Sequence, residues 1–337
     1  MIRNAPCSPP ESKVAVIVPC HRVRKHILDV LDGLPDWIDL IVVVDDQCPE
    51  RTGSYVEAQS TDPRVEVVFC QHNLGVGGAV MVGYRHAIAR GVDILVKMDG
   101  DGQMDPVLLY PLIAPIVRGD ADYTKGNRFY DLTHIGRMPR IRIFGNAILS
   151  LFSKFSTGYW DIFDPTNGYT ALRARAARRL PFDRISSRYF FESDILFRLN
   201  TIRARVMDIP MPPRYGDEVS GLRVRKIVPE FLWRHLRNGC KRIFYNYFLR
   251  DASLATLELV AGVAFVCVGA SAGALYWMQS FRTGVATTAG EVMLAALPII
   301  VGIQLLLGFL SYDIANVPKT RLHDHLTEAD LEAEGQP

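Results

Sequence analysis

The sequence predicts an α/β protein. A mostly parallel sheet carries the ligand site, and an amphipathic helix and two membrane-crossing helices follow it. Three observations lead there. Short β-branched runs alternate with helically spaced segments in the first part of the chain, the runs end in proline or in acids, and two later stretches hold no charge at all.

Residues 1–12 read as a disordered lead-in, because MIRNAPCSPPESK lacks the apolar core of a signal peptide. Residues 14–18, VAVIV, form the first strand and end at Pro19. Ile27, Val30, Leu31 and Leu34 then make one face of a helix. The second strand, LIVVV at 40–44, ends at Asp45 and Asp46, and VEVVF at 65–69 is the third. Val80, Val82, Tyr84, Ala87 and Ile88 give another helical face, and residues 92–98 form the fourth strand. Continuous apolar strands between helices predict a parallel sheet covered on both sides. In such sheets ligands bind beyond the carboxyl ends of the strands. Pro19, Asp45, Asp46, Asp99 and Asp101 all fall there.

The chain has 337 residues, 49% of them apolar, and a formal net charge of +2, which does not suit a nucleic-acid binder. Six scattered cysteines, none in a CxxC pair, give no disulfide framework or zinc site. Reduced thiols suit a domain facing the cytosol. Residues 226–252 read as an amphipathic helix. Val228, Phe231, Leu232 and Leu236 recur on one side, and Arg234, Arg237, Lys241 and Arg242 line much of the rest. Such a helix beside a span lies in the membrane interface; the alternative is an ordinary packed helix. Residues 259–278 and 292–312 are uncharged and long enough to cross a bilayer, giving a hairpin over 253–313. Lys and Arg crowd the outer flanks of the hairpin, so the positive-inside rule puts the preceding domain and both termini in the cytoplasm. Residues 314–337 form a tail, which after about residue 322 is acidic and polar and reads as mobile.

The segment VKMDGDGQMD gathers Asp99, Asp101 and Asp105 at the end of the fourth strand. Three arrangements compete for them. Asp and Gly suit a solvated turn. An EF-hand loop begins in this way, but no helix precedes this one and no glutamate follows at the twelfth position. A divalent cation carrying a diphosphate would offset the repulsion between the acids, and the strand-end position and the second acidic pair favour it.

VAVIVPCHR, IVVVDDQCPERTG, HNLGVGGAVMVGYRHAI and VKMDGDGQMDP stand in the order and at the spacing of family-2 glycosyltransferases of the Rossmann-like GT-A fold. TKGNRF, RIRIFGNAILSLF, DPTNGYTALR and FFESDILFRL resemble the polyprenyl-phosphate branch of that family, which includes dolichyl-phosphate mannose synthases and bacterial undecaprenyl-phosphate sugar transferases. The likeness covers about residues 13–215, within a catalytic domain at 13–225.

The resemblance implies residue roles. Asp99 and Asp101 would hold Mg²⁺ or Mn²⁺ against the sugar-nucleotide diphosphate, and Gln103 would join them. Pro19, Asp45 and Asp46 would line the nucleoside pocket, and Asn73 and Gly75 would open a ligand-facing helix. Arg128 and Arg142 would grip the lipid phosphate, with Arg137 and Arg140 as alternatives to Arg142. Asp164 would position acceptor or metal rather than act as a base, because a phosphate monoester is mostly dianionic at neutral pH. Glu192 and Asp194 would lie near the donor sugar.

The implied activity is inverting transfer from a UDP- or GDP-sugar to polyprenyl phosphate at the cytoplasmic face of a bacterial inner membrane. Relatives in this branch include tetramers, so a homo-oligomer is implied as well. Cys20-His21-Arg22 departs from the family's usual run after the first strand. A polysaccharide synthase would carry a Gln-x-x-Arg-Trp motif, which is absent. A nucleotidyltransferase would need a glycine-rich loop after the first strand. A non-catalytic membrane scaffold would tolerate loss of Asp99 and Asp101.

Overall fold

The computed structural model describes residues 11–130, 140–165, 167–212, 224–320 and 322; the side chains of 140–143 and 224–227 lie outside the description. The chain divides into two compact units, Met1–Gly239 with Pro318–Pro337, and Cys240–Val317.

The first unit is built on a seven-stranded sheet. Its strands are β1 (Val14–Cys20), β2 (Leu40–Asp45), β3 (Val65–Phe69), β4 (Ile94–Lys97), β5 (Tyr123–Asn127), β6 (Thr170–Arg173) and β7 (Val206–Pro210), in the order β3-β2-β1-β4-β6-β5-β7. The sheet is mostly parallel, as expected. The exception is β6, which runs antiparallel to both β4 and β5. Val14, Val16 and Val18 of β1 have no exposed surface, and neither do Ile41 and Val43 of β2. Burial of this kind is why these strands read as unbroken apolar runs.

β1 pairs with β2 on one side and β4 on the other, both parallel. The strand order therefore reverses between β1 and β4, the place where such sheets open a crevice. The ends of β1 and β4 differ from expectation in ways that bear on the site. β1 runs through Pro19 to Cys20, so Pro19 is a strand residue. β4 spans only Ile94–Lys97, because Met98 leaves the ladder and the acids that follow form a turn.

The helices in chain order are α1 (Ile27–Asp32), α2 (Thr52–Gln59), α3 (Val76–Ala89), α4 (Leu109–Val117), α5 (Arg140–Thr157), α6 (Ala174–Arg178), α7 (Phe191–Thr201), α8 (Val224–Phe244), α9 (Leu254–Thr283) and α10 (Ala289–Ala315). α5 and α8 are amphipathic in an inverted sense. On α5, Phe144, Ile148, Leu151 and Phe152 are exposed while Ser150, Ser153 and Ser156 are buried. On α8, Val228, Leu232, Trp233 and Leu236 are exposed while His235 and Asn238 are buried. Of the basic residues opposite the apolar side, Arg237 and Lys241 are exposed and Arg242 is buried. His235 and Asn238 pack inward on protein, where His235 meets Ser156 and Asn238 donates to Asp194.

The second unit holds α9 and α10, whose apolar windows are mostly exposed and long enough to cross a membrane. The chain enters this unit after Gly239 and returns to the first at Pro318. The Leu322 amide donates to Asp122 Oδ2 at 3.0 Å, inside the first unit. α9 and α10 touch through small residues, with Gly262 against Gly302 and Gly269 against Ala295, a device that lets helix axes come close where lipid offers no hydrophobic drive. Each begins with a capping box, Ser253 with Thr256 and Thr288 with Glu291. In the same unit Arg242 grips Asp313 with two nitrogens, Nη1 to Oδ1 at 2.6 Å and Nη2 to Oδ2 at 2.9 Å. The Tyr247 hydroxyl donates to the same carboxylate at 2.6 Å. A buried charge held so completely avoids the penalty of an unpaired one.

Candidate active site

Two adjoining cavities open beyond the carboxyl ends of β1 and β4. The larger, about 360 Å³, is lined by Pro19, His21, Asp46, Asn73, Gly75, Arg188 and Tyr189 among others. The smaller, about 160 Å³, is lined by Gln103, Arg128, Asn167, Gly168 and Glu192 among others. Asp99 and Asp101 line both.

The larger cavity owes its floor to the acids that end β2. Asp46 is buried and accepts from the Leu74 amide at 2.6 Å and the Gly75 amide at 2.8 Å. It thereby fixes the turn that opens α3, and Asn73 Nδ2 adds a bond to its carbonyl. Gly75 caps α3 at φ +80°, and a Cβ there would stand 2.7 Å from the Ser187 carbonyl oxygen. Both the left-handed backbone and the close approach require glycine.

Asp45 behaves differently from its neighbour. Its two oxygens accept from the Cys48 and Gly53 amides, both at 2.6 Å, so the carboxylate is consumed by its own loop. It shapes the pocket but is not among the residues lining it. Asp194 is another departure from expectation. One of its oxygens takes the Ser186 amide at 2.8 Å and the other takes Asn238 Nδ2 at 2.9 Å. The carboxylate ties three segments together and does not reach the cavities. Asp105 caps the short helical turn at Pro106–Leu108 through the Val107 amide, so the plain turn reading fits this third acid.

Asp101 Oδ1 accepts from the Gln103 amide at 2.9 Å, which curls the turn so that both acids face the partition between the cavities. Asp99 Oδ1 lies 2.6 Å from Lys97 Nζ, an ammonium buried at the end of β4. Gly168 makes room here, because a Cβ would strike Lys97 Nζ and crowd Asp99 and Glu192. Lys125 is also buried and donates to the Asn167 carbonyl. Burial pushes the Glu192 carboxyl up, and Lys125 and Lys97 pull it back. Burial pulls the Lys125 ammonium down, opposed by Glu192, Asp164 and Asp208.

Arg128 forms the wall of the smaller cavity. Its Nε and Nη2 meet Asp164 Oδ2 and Oδ1 at 2.8 and 3.1 Å, with Asp164 almost wholly buried. Asp164 therefore presents its carboxylate to Arg128 and is not itself a cavity residue. Arg142 lies on α5, but its side chain falls outside the described residues, as does that of Arg140; Arg137 lies outside them altogether.

Reading the sequence missed Lys97, Lys125 and Gly168. A signal existed for the lysines, since each is the single charge of its strand, Lys97 at the end of β4 and Lys125 within β5. Among the described residues no group of three or more His, Cys, Asp or Glu side chains is placed to hold a metal alone. Two carboxylates in one turn, beside room for phosphate and water oxygens, still suit Mg²⁺ or Mn²⁺, which keep water and substrate phosphates in their shells.

The profile of the family described as "Glycosyl transferase family 2" matches residues 15–180. The chain is 32% identical over 203 residues to the undecaprenyl-phosphate mannosyltransferase of Micrococcus luteus, covering 59% of this chain and 82% of that protein. It is 28% identical to the polyprenol monophosphomannose synthase of Mycolicibacterium smegmatis, covering 60% of this chain and 77% of the relative. Among solved structures, glucosyl-3-phosphoglycerate synthase from Mycobacterium tuberculosis in complex with UDP superposes with a TM-score of 0.52 at 16% identity. That match covers 69% of this chain and 80% of the other. At that identity the likeness establishes the GT-A architecture of the sheet domain alone.

Proposed function

This chain belongs to glycosyl transferase family 2, and we propose that it moves a single sugar from a nucleoside diphosphate sugar to polyprenyl phosphate at a membrane surface. The observation that carries this reading is the pair of cavities sharing Asp99 and Asp101. The larger suits the nucleoside of the donor, beside Pro19, Asp46, Asn73 and Gly75. The smaller suits the acceptor phosphate, beside Arg128. The reacting carbon then lies at the partition.

Asp99 and Asp101, with Gln103, would hold Mg²⁺ or Mn²⁺. That ion supplies Lewis-acid neutralisation of the diphosphate. Asp164 locks the Arg128 guanidinium in one orientation, and a planar fork so fixed meets two phosphate oxygens at once. Arg142 joins it in this reading. A lipid phosphate oxygen forms a bond to the anomeric carbon from one side. The bond from that carbon to the diphosphate breaks on the other, and the electron pair leaves with the diphosphate, inverting the centre. The dianionic acceptor needs no base, consistent with Asp164 being occupied by Arg128. Asp45 and Asp194 drop out of the substrate-binding set and shape the walls.

The exposed apolar stripes of α5 and α8 suit the headgroup boundary of a bilayer, and α9 and α10 suit spans. The domain organisation follows: catalytic unit, juxtamembrane helix, two-span hairpin and tail. We place the catalytic unit and both termini in the cytoplasm of a bacterium, with the hairpin in the inner membrane. A homo-oligomer accords with the branch.

The test is product release. The protein in detergent receives undecaprenyl phosphate, Mn²⁺ or Mg²⁺, and UDP- and GDP-sugars one at a time. Release of nucleoside diphosphate from one donor, together with a lipid bearing one sugar, is expected. Polymer would mark a polysaccharide synthase, and no release from any donor would sink the reading.

A further inference from the structure

One wall of the larger cavity is a strap, residues 186–192, that carries Arg188 and Tyr189 into the lining. On its inner side the strap rests on the start of α3. The Gly78 amide donates to the Ser187 carbonyl at 3.0 Å. The Ser186 carbonyl lies where a Cβ on Gly77 would stand, 2.5 Å away, so side chains there are excluded and the two backbones touch.

On its outer side the strap is held by α8. Arg234 Nη1 donates to Ser186 Oγ at 2.8 Å. Asn238 Nδ2 donates to Asp194 Oδ1 at 2.9 Å, and the other oxygen of Asp194 takes the Ser186 amide at 2.8 Å. Phe190 sits edge-on to Phe231 and His235, with centroids 5.4 and 4.9 Å away, and beneath the Arg234 guanidinium. Arg188 and Tyr189 are thus bracketed by two anchor points, Ser186 and Phe190. Both anchors are gripped by residues of α8, directly or through Asp194.

We propose that Arg234 and Asn238 are positioning residues for the larger cavity. They touch no substrate and act by holding the strap against α3. The proposal rests on the donor-site reading given above. It assigns α8 a second role: the helix whose outer face is apolar fixes, with its inner face, the wall that closes over the nucleotide. The inward polar groups of α8 are then explained by what they hold.

The experiment uses the full chain in detergent. Backbone hydrogen exchange is read at Ser186 and Gly78, whose amides make the two anchoring bonds, and binding of UDP and GDP with Mn²⁺ is measured alongside. Asn238→Leu should speed exchange at both amides and weaken binding of the preferred nucleotide about tenfold, the scale of one lost buried hydrogen bond. Arg234→Gln should act in the same direction. The exchange of partners, Asp194→Asn with Asn238→Asp, restores the bond with donor and acceptor reversed, because the new amide oxygen still accepts from Ser186. It should recover both readouts, which a merely misfolded protein would not do. Arg237→Ala, an exposed position on the same helix, should change neither. Unaltered exchange in Asn238→Leu overturns the proposal, and so does faster exchange with unaltered nucleotide affinity. If the wild type binds neither nucleotide, the donor-site reading fails instead, and exchange still decides whether α8 holds the strap.

Discussion

Asp164 and Arg128 form a two-pronged ion pair in which the carboxylate is buried and the arginine side chain is 36% exposed. The acid is shut off from solvent, while the arginine side chain lines the smaller cavity. The pair thus presents one oriented cation outward.

Asp164→Asn should lower stability by about 3 kcal/mol, the lower end for a broken buried pair because Arg128 retains access to water. The KM for lipid phosphate should rise about tenfold as the guanidinium loses its orientation. The shape of the pH–rate profile should not change. Loss of its acidic limb, measured in the variant, would instead make Asp164 a general base.

Asp101→Asn removes one of the two carboxylates at the partition of the cavities. Nucleoside diphosphate release should fall at least about 100-fold, equivalent to about 2.7 kcal/mol of transition-state stabilisation. Titrating Mn²⁺ checks the cause: the variant should need far more metal to reach its residual rate. An unchanged metal requirement would remove Asp101 from the ion's shell.

Gly75→Ala adds a methyl group at φ +80° that meets the Ser187 carbonyl. At φ +80° and ψ +165° the backbone alone, in a region essentially reserved for glycine, costs about 1–3 kcal/mol for a residue with a Cβ. The melting temperature should fall and nucleotide binding should weaken together, because the collision displaces the strap. A melting temperature equal to that of the wild type would contradict the close contact.

Burial pushes the Asp208 carboxyl up to about 6, opposed by the Phe163 amide and by Lys125. One of its oxygens is buried without a partner. The folded protein therefore holds this proton more tightly than the unfolded chain does. Asp208 carries no penalty below about pH 4, and its cost enters as pH rises through about 4 to 6. Asp208→Asn removes a charge that is costly only above that window. Its melting temperature relative to wild type should rise between pH 4 and 7, by the equivalent of about 2–3 kcal/mol. A pH-independent difference would mean that Asp208 does not titrate there.

Orientation is tested with single cysteines in a cysteine-free protein. Thr287→Cys, between α9 and α10, should react with a membrane-impermeant maleimide added outside intact cells. Ser60→Cys, at the end of α2, should react only after lysis. The reverse pattern would invert the topology.

Much of the sheet domain was legible in the sequence, and the reasons are local. β1, β2 and β4 are buried on both faces, so they need unbroken apolar runs, and turn-forming acids stand at the carboxyl ends of β2 and β4. α9 and α10 were legible because length and absence of charge are properties of a segment. The fate of each acid was not legible in the same way. Asp45 and Asp46 are neighbours of one type, yet Asp45 closes its own loop and Asp46 organises the turn before α3 at the cavity floor. Asp194 looked like a donor-side acid and is a structural knot, because Ser186 and Asn238 arrive from distant parts of the chain.

The sequence by itself determined the first four strands and helical faces between them, the two long apolar helices, and the pairing of Asp99 with Asp101 in one turn. Those follow from periodicity and from residues a few positions apart. Only the tertiary structure decided that Arg128 faces a cavity with Asp164 behind it, and that α8 turns His235 and Asn238 inward onto Ser156 and Asp194. Each depends on groups far apart in the chain meeting at hydrogen-bond distance, and a buried charge takes whichever partner the packed fold brings to it.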